Sequence, residues 1–476
     1  MPVERYDLAV IGGGTAGLVS SAISAGIGAR TALVEQNKLG GECLWTGCVP
    51  SKALIRSASV LHALRHAADY GIQADGRADF ARVMERVHAI IRQIEPHDSP
   101  ERFRGLGVDV IEGRARFVTP EQAEVGGRRI QAKRWIIATG SRTAIPPVPD
   151  LADAGYLTHE TLWELRELPE SMLVLGAGPI GIEMAQAFSR LGSRVTVADS
   201  AARVLHREDP EISALLQRQL EREGITLQLQ TELTAVRVDA GVKIATLRSA
   251  AGTTEMRAAA ILVASGRKPN VEEMGLDVLG VETGEHGITV DASLRTSAAH
   301  VWAAGDVVGP YRFTHVADYQ ARIAVPNALF PIRRKVDYRV VPWCTYTEPE
   351  VARVGLTEAE ARERWGDRAG VFRYDHHGLD RALCDGEPDG LTKIVLDPKG
   401  RIAGAHVIAP RAGETIHEAV LAIRQGLKLS ELSGMIHIYP TYPESLKRAA
   451  DGWLRASYSG GIARRAADLA VRLFVR

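Results

Sequence analysis

The sequence is poor in the features that would mark a secreted, membrane-spanning or nucleic-acid-binding chain. Four cysteines in 476 residues are too few to staple a chain of this length. A disulfide scaffold is excluded, and any cysteine pair is expected to be chemical rather than structural. No uncharged apolar run reaches the ~18 residues needed to cross a bilayer. Nor does a basic stretch, an apolar stretch and a cleavage site precede the first apolar segment, Tyr6 to Ile11, so the expected location is the cytoplasm. Charge of either sign is not in excess: 58 Lys and Arg balance 58 Asp and Glu, which leaves no field to attract nucleic acid. Aromatic residues are scarce while glycine is plentiful at 46, the balance of a turn-rich α/β chain. This length exceeds what one hydrophobic core can serve, so several domains are expected.

What is present is a repeated pattern. Tyr6 to Ile11 reads as a strand, GGGTAG as a glycine turn, LVSSAISAG as a helix and RTALVE as a second strand, together one parallel β-α-β unit. The series MLVLGAGPIGIEMAQAFSRLGSRVTVAD repeats it from Met172. Beyond about residue 336, strands such as LTKIVL and IAGAHVIA alternate with helices, one of them opened by a capping box at Thr357 and Glu360. The expected fold is therefore α/β, with two Rossmann-like dinucleotide-binding domains and a C-terminal α+β domain. The run VWAAGD, Val301 to Asp306, reads as a return of the chain to the first domain. The expected partition is residues 1–148 with 269–337, then 149–268, then 338–458, and a basic amphipathic tail over 459–476. In that tail Ile462, Ala466, Leu469 and Leu473 recur at helical spacing beside Arg464, Arg465, Arg472 and Arg476. It reads as a terminal helix docked on its own protein or on a dimer mate, in preference to a membrane-surface helix.

Each glycine turn has a nucleotide-binding logic. Gly12, Gly14 and Gly17 give a tight turn, a close approach of backbone to pyrophosphate and close helix–strand packing, with the phosphates at a positive helix N-terminus. Glu35, at the end of the second strand, is placed to bind a ribose diol. Gly176, Gly178 and Gly181 repeat the arrangement, completed by Asp199. A carboxylate there binds a free 2′-hydroxyl and repels a 2′-phosphate, so NADH is expected over NADPH. Arg203, four residues on, softens that preference.

The cysteines that stand out are Cys43 and Cys48 in GGECLWTGCVPSK, with four residues between them, just ahead of a helical stretch. A helix N-terminus and a nearby lysine, Lys52, favour thiolate, the form that exchanges with disulfides. Cys344 and Cys384 stand apart, without partners at metal spacing, and no metal site is expected.

With CLWTGCVPSK, GAGPIGIE, ATGS, GRKPN and AAGD in this order, the chain resembles the class I pyridine nucleotide-disulfide oxidoreductases over residues 1 to about 455. That family includes dihydrolipoamide dehydrogenase, glutathione reductase and mercuric reductase. The resemblance implies FAD, a nicotinamide cofactor and a homodimer with shared active sites. It implies that Cys48 is the sulfur beside the flavin and Cys43 the interchange thiol, with Lys52 near flavin N5 and Glu183 its ionic partner. It assigns Asp306 to the ribityl and phosphate region, and Thr139 and Gly140 to the turn that closes on FAD. It also implies that the helix opened by FTHVADYQ aims its N-terminus at the flavin.

Two departures bear on the substrate. Family members carry a His-Pro-Thr motif near the C-terminus with a glutamate five residues after the histidine. Here HIYPTYPE has Tyr439 in the histidine's place and keeps Glu444. A phenol is a poor base at neutral pH. His437 would share a face with Tyr439 if the segment were extended. The tyrosine resembles mercuric reductase, yet the C-terminal cysteine pair that delivers Hg(II) in that enzyme is missing. The expected function is electron transfer from NAD(P)H through FAD and Cys43–Cys48 to a small-molecule or protein disulfide, a thiol or a metal, in a mercuric-reductase-like branch. The alternatives are a dihydrolipoyl dehydrogenase, a diaphorase or quinone reductase, and a redox-sensing subunit.

Overall fold

A computed structural model describes residues 3–459 and 461–474. The chain divides into two compact units. The first holds Met1–Gly176, Ala187–Thr196 and Glu232–Asp337; the second holds Ala177–Gln186, Val197–Thr231 and Tyr338–Arg476.

The first unit is built on a sheet that starts with β1 (Val3–Ile11), continues through helix α1 (Thr15–Gly26), and adds β2 (Thr31–Glu35) in parallel, Val10 beside Leu33. Helices α2 (Gly41–Trp45), α3 (Cys48–Arg65), α4 (Phe80–Ile94) and α5 (Pro100–Gly105) follow. Strands β3 (Val108–Glu112), β4 (Ala115–Thr119), β5 (Gln122–Val125) and β6 (Arg128–Ile137) complete the order β3-β2-β1-β6-β5-β4. The strand Val301–Ala303 joins β6 in parallel, so the chain does return to its first sheet. Alternation along β1 explains the layering. Leu8 and Val10 are buried with Ala16, Leu18 and Leu33 on one face. Ala9 and Ile11 are buried with Val34, Phe117 and Trp135 on the other, as a parallel strand covered on both sides requires. Also in this unit, the strand Ser171–Leu175 pairs in parallel with Ala260–Val263, and Glu232–Asp239, Val242–Ser249 and Gly252–Ala258 form an antiparallel sheet.

The second unit contains a five-stranded antiparallel sheet in the order Pro342–Thr345, Glu350–Gly355, Ile402–Ala409, Leu391–Leu396 and Gly370–Asp375. The helix Glu444–Ser459 contributes Leu446, Ala449 and Ala450 to a core with Ile394, Leu396 and Ile402. The capping box at Thr357 and Glu360 opens the helix Glu358–Trp365. Lys393 is fully buried, and its ammonium is held 2.8 Å from Asp209 and 2.7 Å from Glu358, since a buried charge needs partners to offset its lost hydration. The tail forms the helix Gly461–Phe474, with Leu469, Leu473 and Phe474 exposed; the side chains of Ile462 and Ala466 lie outside those described. No helix among the described residues is long and apolar enough to cross a membrane.

Candidate active site

The first glycine turn shows why its sequence is so restricted. Gly12 has φ +109°, and a Cβ there would stand 2.3 Å from the carbonyl oxygen of Ala138. A Cβ on Gly17 would stand 1.7 Å from the oxygen of Gly12, so α1 approaches the turn closer than any side chain allows. The amide of Gly13 donates to Glu35 Oε2 at 2.5 Å and that of Asn37 to Oε1 at 2.7 Å. The Glu35 carboxylate thus braces the turn from the end of β2. The Gly40 amide donates to Gly13 O at 2.9 Å, and a Cβ on Gly41 would meet the Gly14 Cα at 2.7 Å. The segment ahead of Cys43 is therefore laid directly on the turn. These close approaches form a cradle that fits a dinucleotide's pyrophosphate at the N-terminus of α1.

Further elements of this unit converge on the same region. Thr139 donates its hydroxyl to Asn270 O at 2.7 Å and accepts from Asn270 Nδ2 on its own carbonyl at 2.9 Å, and Gly140 follows at φ +72°. Asp306 Oδ2 accepts from Ser141 Oγ at 2.8 Å and lies 3.7 Å from Arg267 Nε. Burial pushes the Asp306 carboxyl up, with Arg267 and Ser141 working against it. The Gly305 amide donates to the buried Gln320 Oε1 at 2.6 Å, which ties the Asp306 turn to the helix Thr314–Leu329.

The two cysteines sit on separate helical pieces. Cys43 lies within the five-residue turn α2, and Cys48 is the first residue of the 18-residue α3, behind Gly47. Both are thiols. Cys48 Sγ is 3.4 Å from Thr314 Oγ1, at the first position of the helix Thr314–Leu329. The helix terminus does not govern Cys43. Its hydrogen bond with Cys48 and its burial push the Cys43 thiol well above its usual range, and the negative charge of Asp98 adds to the effect. The positive end of α3 belongs to Cys48, which corrects the expectation that both sulfurs share it. Lys52 stands one helical turn beyond Cys48 on α3. His315 stacks on Phe313 with ring centroids 5.3 Å apart, a packing arrangement.

Beside Cys43, Glu42 is ion-paired with Arg267 and lies 3.3 Å from His159 Nε2. Burial works to raise its carboxyl, but His159 and Arg267 outweigh burial and hold it below the usual carboxylate range. Among the described residues, Glu42, His159 and Glu160 form the one cluster with metal-ligand spacing. Arg267 already supplies the positive charge there.

In the second unit Asp199 repeats the brace of Glu35: Oδ2 accepts from the Ala177 amide and Oδ1 from the Ala201 amide, both at 2.6 Å. Arg203 donates from one nitrogen, Nη2, to the carbonyls of His206, at 2.7 Å, and Glu208, at 3.4 Å. Gly178 precedes and Gly181 lies within the helix Pro179–Leu191, as does Glu183, which is buried and accepts from the Tyr346 amide at 2.9 Å. Gly176, in the first unit, has φ +112°, and a Cβ on it would be 2.5 Å from Ala264 O.

In the C-terminal segment Tyr439 and His437 part company. Tyr439 is exposed and donates to Asp380 Oδ2 at 2.6 Å, a bond that pushes its phenol up. The His437 ring lies 3.0 Å from Glu418 Oε1 through Nε2 and 3.3 Å from Met435 O through Nδ1. Both ring nitrogens of His437 thus face acceptor oxygens, and neither is turned to Tyr439. Glu444 is buried at the start of its helix and paired with Arg448 at 2.7 Å.

The family model for pyridine nucleotide-disulphide oxidoreductases matches residues 6–321, and that for the dimerisation domain of the same family matches residues 341–450. The chain is a pyridine nucleotide-disulphide oxidoreductase. As such it is an FAD-dependent enzyme that binds a pyridine nucleotide. This oxidoreductase is 37% identical over 458 residues to a mercuric reductase of Streptomyces lividans, covering 94% of this chain and 95% of that one. It is 34% identical over 464 residues to a dihydrolipoyl dehydrogenase of Bacillus subtilis, covering 94% and 97%. Among solved structures it is similar to the Cu(II) complex of the HOCl-induced flavoprotein disulfide reductase RclA from Escherichia coli, with a TM-score of 0.85, 28% identity and coverage of 94% and 99%. The relatives thus support a flavin disulfide oxidoreductase and differ in what they reduce or oxidise.

Sequence reading passed over Thr314, Asp98, Asp380 and the Glu42–Arg267–His159 group as site residues. Thr314 lay within the quoted FTHVADYQ, but Asp98 and Asp380 carried no local signal.

Proposed function

We propose that this oxidoreductase takes a hydride from NADH in preference to NADPH and passes two electrons, through FAD, to a Cys43–Cys48 disulfide and on to an external disulfide or soft-metal acceptor. The observation that carries the reading is the adjacency of the Cys43 and Cys48 thiols, beside Thr314 and next to the first glycine turn. FAD would be held by the Gly12, Gly14 and Gly17 turn, Glu35, Thr139, Gly140 and Asp306, and when bound it supplies two-electron chemistry between a hydride donor and a disulfide. Reduction cleaves the S–S bond and leaves a thiol on Cys43 and a thiolate on Cys48. Lys52 and Glu183 are proposed to tune charge at the flavin. NADH preference is supported by Asp199 and by the commitment of Arg203 to backbone carbonyls.

A homodimer is proposed in which Tyr439 and Glu444 face the mate's cysteine pair; the dimerisation-domain match and the exposure of Ile436 and Ile438 support it. A cytoplasmic location suits thiols that cycle. The mercuric-reductase-like branch is favoured over dihydrolipoyl dehydrogenase because Tyr439, donating to Asp380, is a hydrogen-bond donor and not a base for dithiol oxidation. The test is anaerobic titration of the holoenzyme with NADH, followed by turnover with Hg(II), Cu(II), glutathione disulfide, lipoamide and a quinone. A long-wavelength thiolate–flavin band on two-electron reduction is expected, with turnover of a metal or a disulfide. If only the quinone turns over and no band forms, the cysteine route is wrong.

A further inference from the structure

Exchange at Cys43 needs a proton carrier, because the attacking thiol must lose a proton and the departing sulfur must gain one. The evident carriers are committed. Tyr439 donates to Asp380, both ring nitrogens of His437 face acceptor oxygens, those of Glu418 and of the Met435 carbonyl, and Glu42, the chain neighbour of Cys43, is tied to Arg267 and His159. Asp98 is different. It ends the short 3₁₀ turn Glu95–Asp98 between α4 and α5 and is part-buried, and among the described residues its carboxylate accepts no hydrogen bond. Its Oδ2 lies 3.3 Å from where a Cβ on Gly40 would stand, at the mouth of the turn α2 that carries Cys43. The charged groups acting on it are Arg102 on α5 and His97 in its own turn; burial outweighs both and raises its carboxyl. Its charge in turn is felt at the Cys43 thiol.

We infer that Asp98 is the acid–base partner of Cys43, exchanging its proton through one water. The inference rests on the reading of Cys43 as the interchange thiol. The Asp98 carboxylate accepts the Cys43 proton as the sulfur bonds to one sulfur of an acceptor disulfide RSSR′. The acceptor's S–S bond breaks, and Asp98 returns the proton to R′S⁻, which leaves as R′SH. The Cys48 thiolate then attacks the Cys43 sulfur, closes the internal disulfide and expels RS⁻, which takes a proton from solvent. The dithiol loses two electrons and the acceptor gains them. A carboxyl with raised proton affinity suits this role, since it remains a competent acid closer to neutral pH.

The experiment uses the holoenzyme, reduced anaerobically with NADH, and reads two quantities against pH: reduction of hydroxyethyl disulfide, and alkylation of Cys43 by iodoacetamide followed by peptide mass spectrometry. Asp98→Asn is expected to slow disulfide reduction at least tenfold and to erase the loss of activity on the acid side. The same variant should move Cys43 alkylation to lower pH, because a negative charge near the thiol is gone. Asp98→Glu should restore part of the rate. A slower enzyme with a more readily ionised nucleophile is a combination that a packing defect does not produce. An unshifted alkylation profile in Asp98→Asn, or a wild-type rate and pH profile, overturns the inference. Should the wild type fail to reduce the disulfide, the disulfide arm of the proposed function falls, while the alkylation profile still decides the role of Asp98.

Discussion

The two glycine turns solve one backbone problem in the same way and then diverge. Gly12 and Gly176 share a φ near +110°, and each abuts a carbonyl oxygen of an adjoining strand end, Ala138 or Ala264. Glu35 and Asp199 each grip the turn amide and the amide two residues beyond themselves. The segments after the two carboxylates differ. After Glu35 the chain folds Gly40 and Gly41 back onto the turn and delivers Cys43. After Asp199 it makes a loop whose arginine fastens the loop to itself. A shared motif thus builds the same braced turn twice, whereas the segment after it decides what is laid against that turn and which side chains stand beside it.

That comparison can be broken most directly at the cysteines. Cys43→Ser is expected to lower turnover with a disulfide or metal acceptor by at least about 10³-fold. NADH oxidation with a quinone should persist, since that route does not use the thiol; equal loss of both activities would show that it does. Next in size is Gly17→Ala. A Cβ placed 1.7 Å from Gly12 O should cost about 1–3 kcal/mol or more and yield protein with little bound flavin, read from the ratio of visible to 280 nm absorbance. Gly176→Ala should keep its flavin and instead raise the KM for NADH; matching flavin loss in both variants would erase the distinction between the turns. Asp199→Asn should shift the NADH to NADPH preference by about tenfold, the scale of one charge-assisted hydrogen bond, measured as the ratio of kcat/KM values. Smallest of all, Arg203→Ala should change that ratio by less than about twofold, because its Nη2 is held by the carbonyls of its own loop. A larger swing would mean that the loop opens to bind the cofactor.

The fold was legible where its determinants are local. A strand, three spaced glycines, a helix and a terminal carboxylate lie within one short stretch, and the structure builds each element there. The capping box at Thr357 was readable for the same reason. The details of the site were less legible because they join distant segments. Cys48 and Thr314 are 266 residues apart in sequence, and Tyr439 and Asp380 are 59 apart. Spacing could place Tyr439 and His437 together but could not show that different carboxylates claim them. The proton affinity of Cys43 was illegible for a related reason: the helix end was visible in sequence, but the hydrogen bond that Cys43 donates to Cys48 and the burial that outweigh it were not.

The division of the cysteine pair between α2 and α3 has a mechanical meaning. Cys48 is fixed to the end of a rod about 27 Å long at 1.5 Å per residue, with 18 residues in it. Cys43 rides on a single five-residue turn bounded by Gly40 and Gly47. One sulfur is anchored by the length of a helix, the other by the packing of one turn, in which Gly41 lies against Gly14 and Glu42 is paired with Arg267.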